Sequence, residues 1–247
     1  MIYIPAPIVP QRRLVWYLAM EEFIARNFSR LAEGSGAKEA FFVWQVAPTV
    51  IFGRNQDMHA EVNEEYCKSN GISMFRRKSG GGCVYADQGN IMISVVSCEQ
   101  GPSAFLFSRY LQMLELSLRK LGLEASRSGR NDVLVGGRKV SGNAMFRKPG
   151  ACIMHGTMLF DSDLEAMQNA ITPSESKLRR KGVQSVRQRV TNLKDELKKE
   201  MSLEEMKAYL VDFFKGADDA EIKLTEADFI EIENLESYYL NPEFIDR

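Results

Sequence analysis

Three consecutive glycines, Gly80, Gly81 and Gly82, follow the basic cluster Arg76, Arg77 and Lys78 within the segment RRKSGGGCVYADQGN, residues 76–90. Glycine lets a backbone approach a ligand closely and leaves its N–H groups unshielded, while the neighbouring cations add positive charge. The segment therefore suits an anion. The same residues also suit a glycine-rich hairpin turn with a solvated basic edge, and the local sequence leaves both readings open. Two familiar phosphate loops are excluded. The GxxxxGK[ST] spacing is missing, and the glycines lie between strands instead of opening a helix.

The elements around this loop can be read from periodicity. Leu14 to Arg26 carries Trp16, Met20, Phe23 and Ile24 at helical spacing, which predicts an N-terminal helix. EAFFVWQV and PTVIFG predict two strands joined by a turn at Pro48, and Glu61 to Asn70 reads as a helix stopped by Gly71. Strands at Ile72 to Arg77 and Val84 to Tyr85 flank the glycines, and Ile91 to Ser97 forms a further strand. Phe107, Tyr110, Leu111, Leu114, Leu118 and Leu121 mark a long amphipathic helix ending at Gly122. Short strands at Asp132 to Val135 and Arg138 to Val140 enclose the tight-turn pair Gly136 and Gly137, and Ala151 to Phe160 is another strand. Ser162 with Glu165, and Ser202 with Glu205, have capping-box spacing. Strands interspersed with helices and hairpin signals predict an α+β fold.

The chain has 247 residues, 45% of them apolar, enough for a substantial core. Its 32 lysines and arginines nearly balance 33 acidic residues, so no global basic field favours nucleic acid, and the basic stretch KLRRKG alone carries that reading. No membrane-length apolar run or signal-peptide order is present, which points to the cytoplasm. Cys67, Cys83, Cys98 and Cys152 form no CxxC pair, and His59 and His155 are the two histidines, so neither structural zinc nor a disulfide framework is expected.

Five ordered blocks resemble the lipoate-protein ligase A family, within the wider biotin and lipoate ligase and octanoyltransferase superfamily. They are WQVAPTVIFGRNQD from Trp44, RRKSGGGCVYADQGN from Arg76, SGRNDVLVGGRKVSGNA from Ser128, HGTMLFDSDL from His155 and KGVQSVRQRVTNL from Lys181. The resemblance covers nearly the whole chain. It implies a catalytic domain like those of class II aminoacyl-tRNA synthetases and biotin ligases, with a central mixed β-sheet, a smaller sheet and flanking helices. A single domain over residues 1–247, without the C-terminal accessory domain of long bacterial ligases, is the corresponding expectation.

The implied reaction has two steps. Lipoate and ATP form lipoyl-AMP with release of pyrophosphate, and a lysine of a lipoyl carrier domain then attacks the adenylate. The implied acceptors are lipoyl domains of 2-oxoacid dehydrogenase complexes or the glycine cleavage H protein, with a separate accessory chain as a further partner and no nucleic acid or membrane. Because a carboxylate and a phosphate must be brought together, such a site needs fixed positive groups and backbone donors.

By resemblance, Lys139 lies between the acyl carbonyl and the α-phosphate, where a compact cation can follow the charge. Arg77, Ser79, Gly80, Gly81, Gly82, Cys83 and Val84 belong to the loop over the lipoyl carboxyl end and phosphate. Trp44 and Gly53 match the lipoyl-tail tunnel. Asn90 and Asp132 match polar site positions, Asp132 being the residue to orient the lysine or assist Mg²⁺. Ser141, Gly142, His155, Gly156 and Thr157 complete the matched segments, and Gly182, Ser185, Val186, Arg187 and Arg189 lie in a loop that closes over the adenylate.

Two positions depart from the family pattern. Ala86 and Met154 stand where many ligases have histidine. Cys152, three residues before His155, matches the spacing of the nucleophile in related octanoyltransferases, so a thioester route without ATP is an alternative. A noncatalytic lipoyl- or biotinyl-binding protein is another, which the presence of Lys139 opposes.

Overall fold

The computed structural model describes residues 1–7, 11–129, 131–171 and 189–246. Its strands in chain order are β1 (Ile2–Tyr3), β2 (Glu39–Trp44), β3 (Thr49–Phe52), β4 (Ser73–Arg76), β5 (Val84–Ala86), β6 (Asn90–Ser97), β7 (Ala125–Ser128), β8 (Asp132–Val135), β9 (Arg138–Lys148) and β10 (Ala151–Leu159). The helices are α1 (Leu14–Leu31), α2 (Met58–Glu61), α3 (Glu64–Ser69), α4 (Ser103–Lys120), α5 (Leu164–Ala170), α6 (Leu193–Glu196), α7 (Leu203–Phe214), α8 (Glu226–Tyr239) and α9 (Pro242–Ile245).

Seven strands form a mixed sheet in the order β1-β2-β6-β10-β9-β8-β7, parallel between β1 and β2 and antiparallel elsewhere. Three more form a small sheet, β4-β3-β5, parallel on one side of β3 and antiparallel on the other. The α+β expectation with a large mixed sheet, a smaller sheet and flanking helices holds.

Period-two alternation assigns the faces of the large sheet. Phe41, Val43, Ile93, Val95, Cys152, Met154 and Met158 pack in one core with Leu111, Leu114 and Leu118 of α4 and Leu210 of α7. Phe42, Trp44, Met92, Val96 and Ile153 pack in another with α1 and α8. Ile51 and Val84 of the small sheet join this second core, whereas Val50, Phe52 and Tyr85 face a third, outer core. The small sheet and α1 thus cover the same face of the large sheet.

Helix α1 runs to Leu31, beyond the predicted end at Arg26, and every residue from Leu14 to Ile24 is buried. That burial on all sides follows from its place between the sheet and α8, against which Trp16 meets Phe229 with ring centroids 5.9 Å apart. The predicted helix from Glu61 to Asn70 is instead two short helices. Asn63 interrupts it, accepting the Tyr66 N–H with its side chain while its own N–H donates to Ala170 O. Helix α5 is capped by Asp163 and not Ser162, because the Asp163 carboxylate accepts from both Glu165 N and Ala166 N. Ser202 and Glu205 do form the predicted capping box.

Two connections differ from the sequence reading in a way that builds the site. Strands β2 and β3, although close in sequence, belong to different sheets. Strands β4 and β5 flank the glycines but do not pair, since β3 lies between them. The glycine segment is therefore a crossover at the end of the small sheet, not a hairpin turn. Gly136 and Gly137, by contrast, have φ of 55° and 78°, as a two-residue hairpin turn requires.

Candidate active site

Between α1, the small sheet and the large sheet lies a cleft of about 400 Å³. Its floor follows from strand register. Trp44 pairs with Met92, Met92 with Thr157, and Gly142 with Asp132, while Thr157 Oγ1 accepts from Gly142 N at 3.2 Å. One row across five strands thus runs from an indole to a carboxylate, roughly 19 Å at about 4.8 Å per strand spacing. Leu14, Leu18, Ile51 and Val84 close over the indole end, while Lys139 and Arg189 flank the carboxylate. The cleft is apolar at one end and charged at the other.

Lys139 reaches that row through a β-bulge. Leu134 pairs with Lys139 and Val133 with Ser141, so Val140 is the extra residue of β9. The inserted residue shifts side-chain parity and turns Lys139 onto the face carrying Asp132 and Gly142. Its Nζ lies 2.7 Å from Asp132 Oδ1, and Arg189 Nη2 lies 2.9 Å from Asp132 Oδ2. Two cations share this carboxylate. A Cβ at Gly142 would fall 2.5 Å from Lys139 Nζ, so the glycine leaves the space in which the ammonium lies. Thr191 N donates to Lys139 O at 3.0 Å and fixes the strand next to the chain that brings Arg189.

The glycine crossover is organised by Arg77. Its guanidinium donates to Ile51 O at 3.0 Å, Gly80 O at 2.9 Å, Gly82 O at 2.7 Å and Ser79 Oγ at 3.1 Å. Because C=O and N–H point in opposite directions across a planar trans peptide, these bonds turn the N–H groups of Gly81 and Cys83 away from Arg77. Burial pulls the Arg77 pKa down to about 10, still leaving it charged at neutral pH. Gly81 has φ of 98°, which favours glycine. Gly53 backs the loop, since a Cβ there would meet Gly81 O at 2.3 Å.

His155 stands beside this loop, with Nε2 2.7 Å from Ser79 Oγ and Nδ1 2.9 Å from Glu21 Oε2. Glu21 is fully buried and also accepts from Ser94 Oγ at 2.6 Å. Its neighbour Glu22 binds Lys78, Lys148 and the Tyr239 hydroxyl. Burial alone would raise the Glu22 carboxyl, but these hydrogen bonds outweigh it and hold the group below its ordinary value of 4.5. Of these consecutive carboxylates on α1, Glu22 binds Lys78 directly and Glu21 reaches Ser79 through the His155 ring, both at the start of the loop. Sequence reasoning missed Glu21, Glu22 and Ser94. A signal was present: Glu21 continues the i, i+4 face of Leu14 and Leu18 at i+7, an odd place for an acid.

The cleft gathers Trp44, Arg77, Gly81, Gly82, Cys83, Val84, Asp132, Lys139, Gly142, His155, Gly156 and Thr157 from the sequence-based set. Other members lie elsewhere. Gly80 borders a second cleft beside Lys78 and Tyr238. Asn90 is a joint between strands, its Oδ1 accepting from Met158 N at 3.1 Å and its Nδ2 donating to Tyr85 O at 3.4 Å. Ser141 is buried on the α4 side of β9 and accepts from Asn143 Nδ2 at 3.0 Å. Gly182 and Arg187, with Ser185 and Val186, lie outside the described residues.

Cys152 lies three positions before His155 on one strand, so the two side chains point to opposite faces. It packs in the α4 core, where burial pushes its thiol pKa up. Met154 shares that core, and Ala86 is buried beside α1. Cys83 lines the cleft, but burial pushes its thiol up to about 12, keeping it protonated. Among the described residues no group of three or more potential metal ligands is gathered, and no helix is long and apolar enough to cross a membrane.

Residues 15–215 match the family model described as the lipoyl protein ligase A/B catalytic domain. The chain belongs to this family. It is 37% identical over 220 residues to lipoate-protein ligase 1 of Staphylococcus aureus, covering 88% of this chain and 65% of the relative, just under two thirds of its length. Its fold is similar to a chain from the study of a bi-partite lipoate protein ligase and its E2 lipoyl domain from Thermoplasma acidophilum. That match has a TM-score of 0.83 and 29% identity, over 99% of this chain and 96% of the other. A lipoate-protein ligase A bound with ATP matches with a TM-score of 0.81 and 27% identity over 99% and 98% of the two chains.

Proposed function

We propose that this chain is an ATP-dependent lipoate-protein ligase, and the observation that carries the reading is the change from apolar to charged along one cleft. An acyl tail gains about 0.8 kcal/mol per CH₂ buried against Leu14, Leu18, Trp44 and Met92. Its carboxylate then reaches the end where Lys139, Arg189 and the glycine loop converge. In the first step a lipoate carboxylate oxygen attacks the α-phosphorus of ATP, forming the acyl–phosphate bond as the bond to pyrophosphate breaks. In the second, the amine of an acceptor lysine attacks the acyl carbon, an amide forms and AMP leaves.

Lys139 follows the negative charge between the two steps, and the loop N–H groups receive oxygens of the acyl phosphate. Asp132 orients Lys139 and Arg189 before substrate arrives. Asp132 is the proposed protein ligand for Mg²⁺, which would be held mostly through the nucleotide phosphates and would neutralise their charge. Gly182 and Arg187 are proposed adenylate contacts. Lipoyl domains of 2-oxoacid dehydrogenase complexes or the glycine cleavage H protein are the proposed acceptors, a separate accessory chain is a second proposed partner, and the cytoplasm is the proposed location.

The test incubates the protein with lipoate, MgATP and an apo lipoyl domain, with an octanoyl carrier protein and no ATP in parallel. ATP-dependent modification that is lost in Lys139→Ala and retained in Cys152→Ala is the expected result. Modification from the carrier thioester alone, abolished in Cys152→Ala, would sink the proposal.

A further inference from the structure

The donor-only and acceptor-only groups around Glu21 constrain where the protons between them lie. An indole N–H only donates, so Ser94 Oγ accepts from Trp44 Nε1 at 2.9 Å and turns its own hydrogen to Glu21 Oε1 at 2.6 Å. On the other side a guanidinium only donates, so Ser79 Oγ accepts from Arg77 Nε at 3.1 Å, which leaves its own hydrogen for His155 Nε2 at 2.7 Å. A carboxylate only accepts, so the imidazole donates from Nδ1 to Glu21, 2.9 Å away, and a ring with a single N–H proton accepts at Nε2. Trp44, Ser94, Glu21, His155, Ser79 and Arg77 are all buried.

We propose that Glu21 is a positioning residue on which two donor chains converge, one from the Trp44 wall at the apolar end and one from the Arg77–Ser79 loop at the charged end. The carboxylate gives both ends of the cleft a common reference point and holds His155 as the Nδ1–H tautomer. This role rests on the ligase reading for its purpose but not for its test. An amide at position 21 keeps the shape and replaces one acceptor by a donor. In Glu21→Gln the Ser94 hydroxyl, 2.6 Å from Oε1 against 3.0 Å for Nδ1, holds the amide oxygen there, so the NH₂ group takes the Oε2 position 2.9 Å from Nδ1 and drives the ring to accept at Nδ1 and donate from Nε2, which reverses the bond to Ser79.

The experiment is ¹⁵N NMR of histidine-labelled protein at neutral pH. The chain has 2 histidines, and exposed His59 is assigned through His59→Gln. The expected wild-type pattern for His155 is a protonated Nδ1 with an unprotonated Nε2, converting to the opposite tautomer in Glu21→Gln. In the ligase assay that variant should lose roughly tenfold in kcat/KM for the acid, as expected for a misaligned loop. An imidazolium or an Nε2–H tautomer in the wild type would overturn the proposal, as would a tautomer unchanged in Glu21→Gln.

Should Glu21→Gln fail to fold, Ser79→Ala serves instead. It removes the donor to Nε2, so the Nε2 resonance should move while Nδ1 stays protonated, and an unmoved Nε2 resonance would overturn the proposal. If the protein ligates nothing yet the wild-type tautomer is found and reverses, the ligase reading fails and the positioning role stands.

Discussion

The two charged ends of the loop-and-lysine region are built on opposite principles. At the glycine crossover, Arg77 is buried and its hydrogen bonds go to three carbonyls and a hydroxyl of its own chain. At the β8–β9 hairpin, Lys139 and Arg189 share Asp132, and their side chains keep 21% and 32% of their surface exposed. Arg77 is thus committed when the chain folds, because exposing those carbonyls would leave buried acceptors unmet. The hairpin pair carries no such commitment, since partly exposed charges exchange partners at little cost. The buried cation braces the backbone of its own loop, and the hairpin cations stay partly exposed.

This contrast can be broken most severely at Lys139. In Lys139→Ala the rate of lipoate-dependent pyrophosphate exchange should fall on the order of 10²–10³-fold or more, with urea unfolding almost unchanged. A large stability loss with modest kinetic loss would reverse the assignment. Gly142→Ala attacks the same end indirectly. The new methyl displaces the far end of Lys139, so the rate should drop roughly tenfold to 10²-fold while the fold persists. Unaltered kinetics would show that the resting position of the ammonium is immaterial.

Arg77→Met should show the reverse signature, a loss of about 2–4 kcal/mol of stability in urea unfolding, because buried loop carbonyls lose a charged donor. Intact stability there would erase the distinction between the two ends. A smaller effect is expected from Glu22. Its pKa in the folded state is depressed, so its contribution is complete above the ordinary value of 4.5 and is lost as pH falls from there through the depressed value. Glu22→Gln should flatten that acid limb of the stability–pH curve, and an unchanged limb would show that its lysine contacts are not what holds the loop. Cys152→Ala should leave the ATP-dependent rate unaltered, and its loss would bring the thioester route back.

Much of the fold was legible from periodicity. The α4 face, the Gly136–Gly137 turn and the strands on either side of the glycines were all readable, because each signal is local. The site was legible in part. Lys139, Asp132, His155 and Thr157 were found through matching segments, and they do meet at one cleft. Asn90 and Ser141 come from the same segments, yet their side chains bond within the framework. A motif shows which residues travel together but not which face each one takes. Facing depends on parity counted from the pairing register, and the bulge at Val140 shifts that parity without a mark in the sequence.

The sequence by itself determined most of the local elements, the balance of charge, the glycine-rich segment beside its basic cluster and the segment in which Lys139 is embedded. Only the tertiary structure decided that β2 and β3 part into different sheets, that the glycines form a crossover, and that Glu21 on α1 ties Trp44 to Ser79. The reason is the range of the interactions. Propensity and hydrophobic period act over a few residues, whereas a buried carboxylate selects whichever donors packing brings to it. The nearer of these along the chain is Ser94, 73 residues from Glu21.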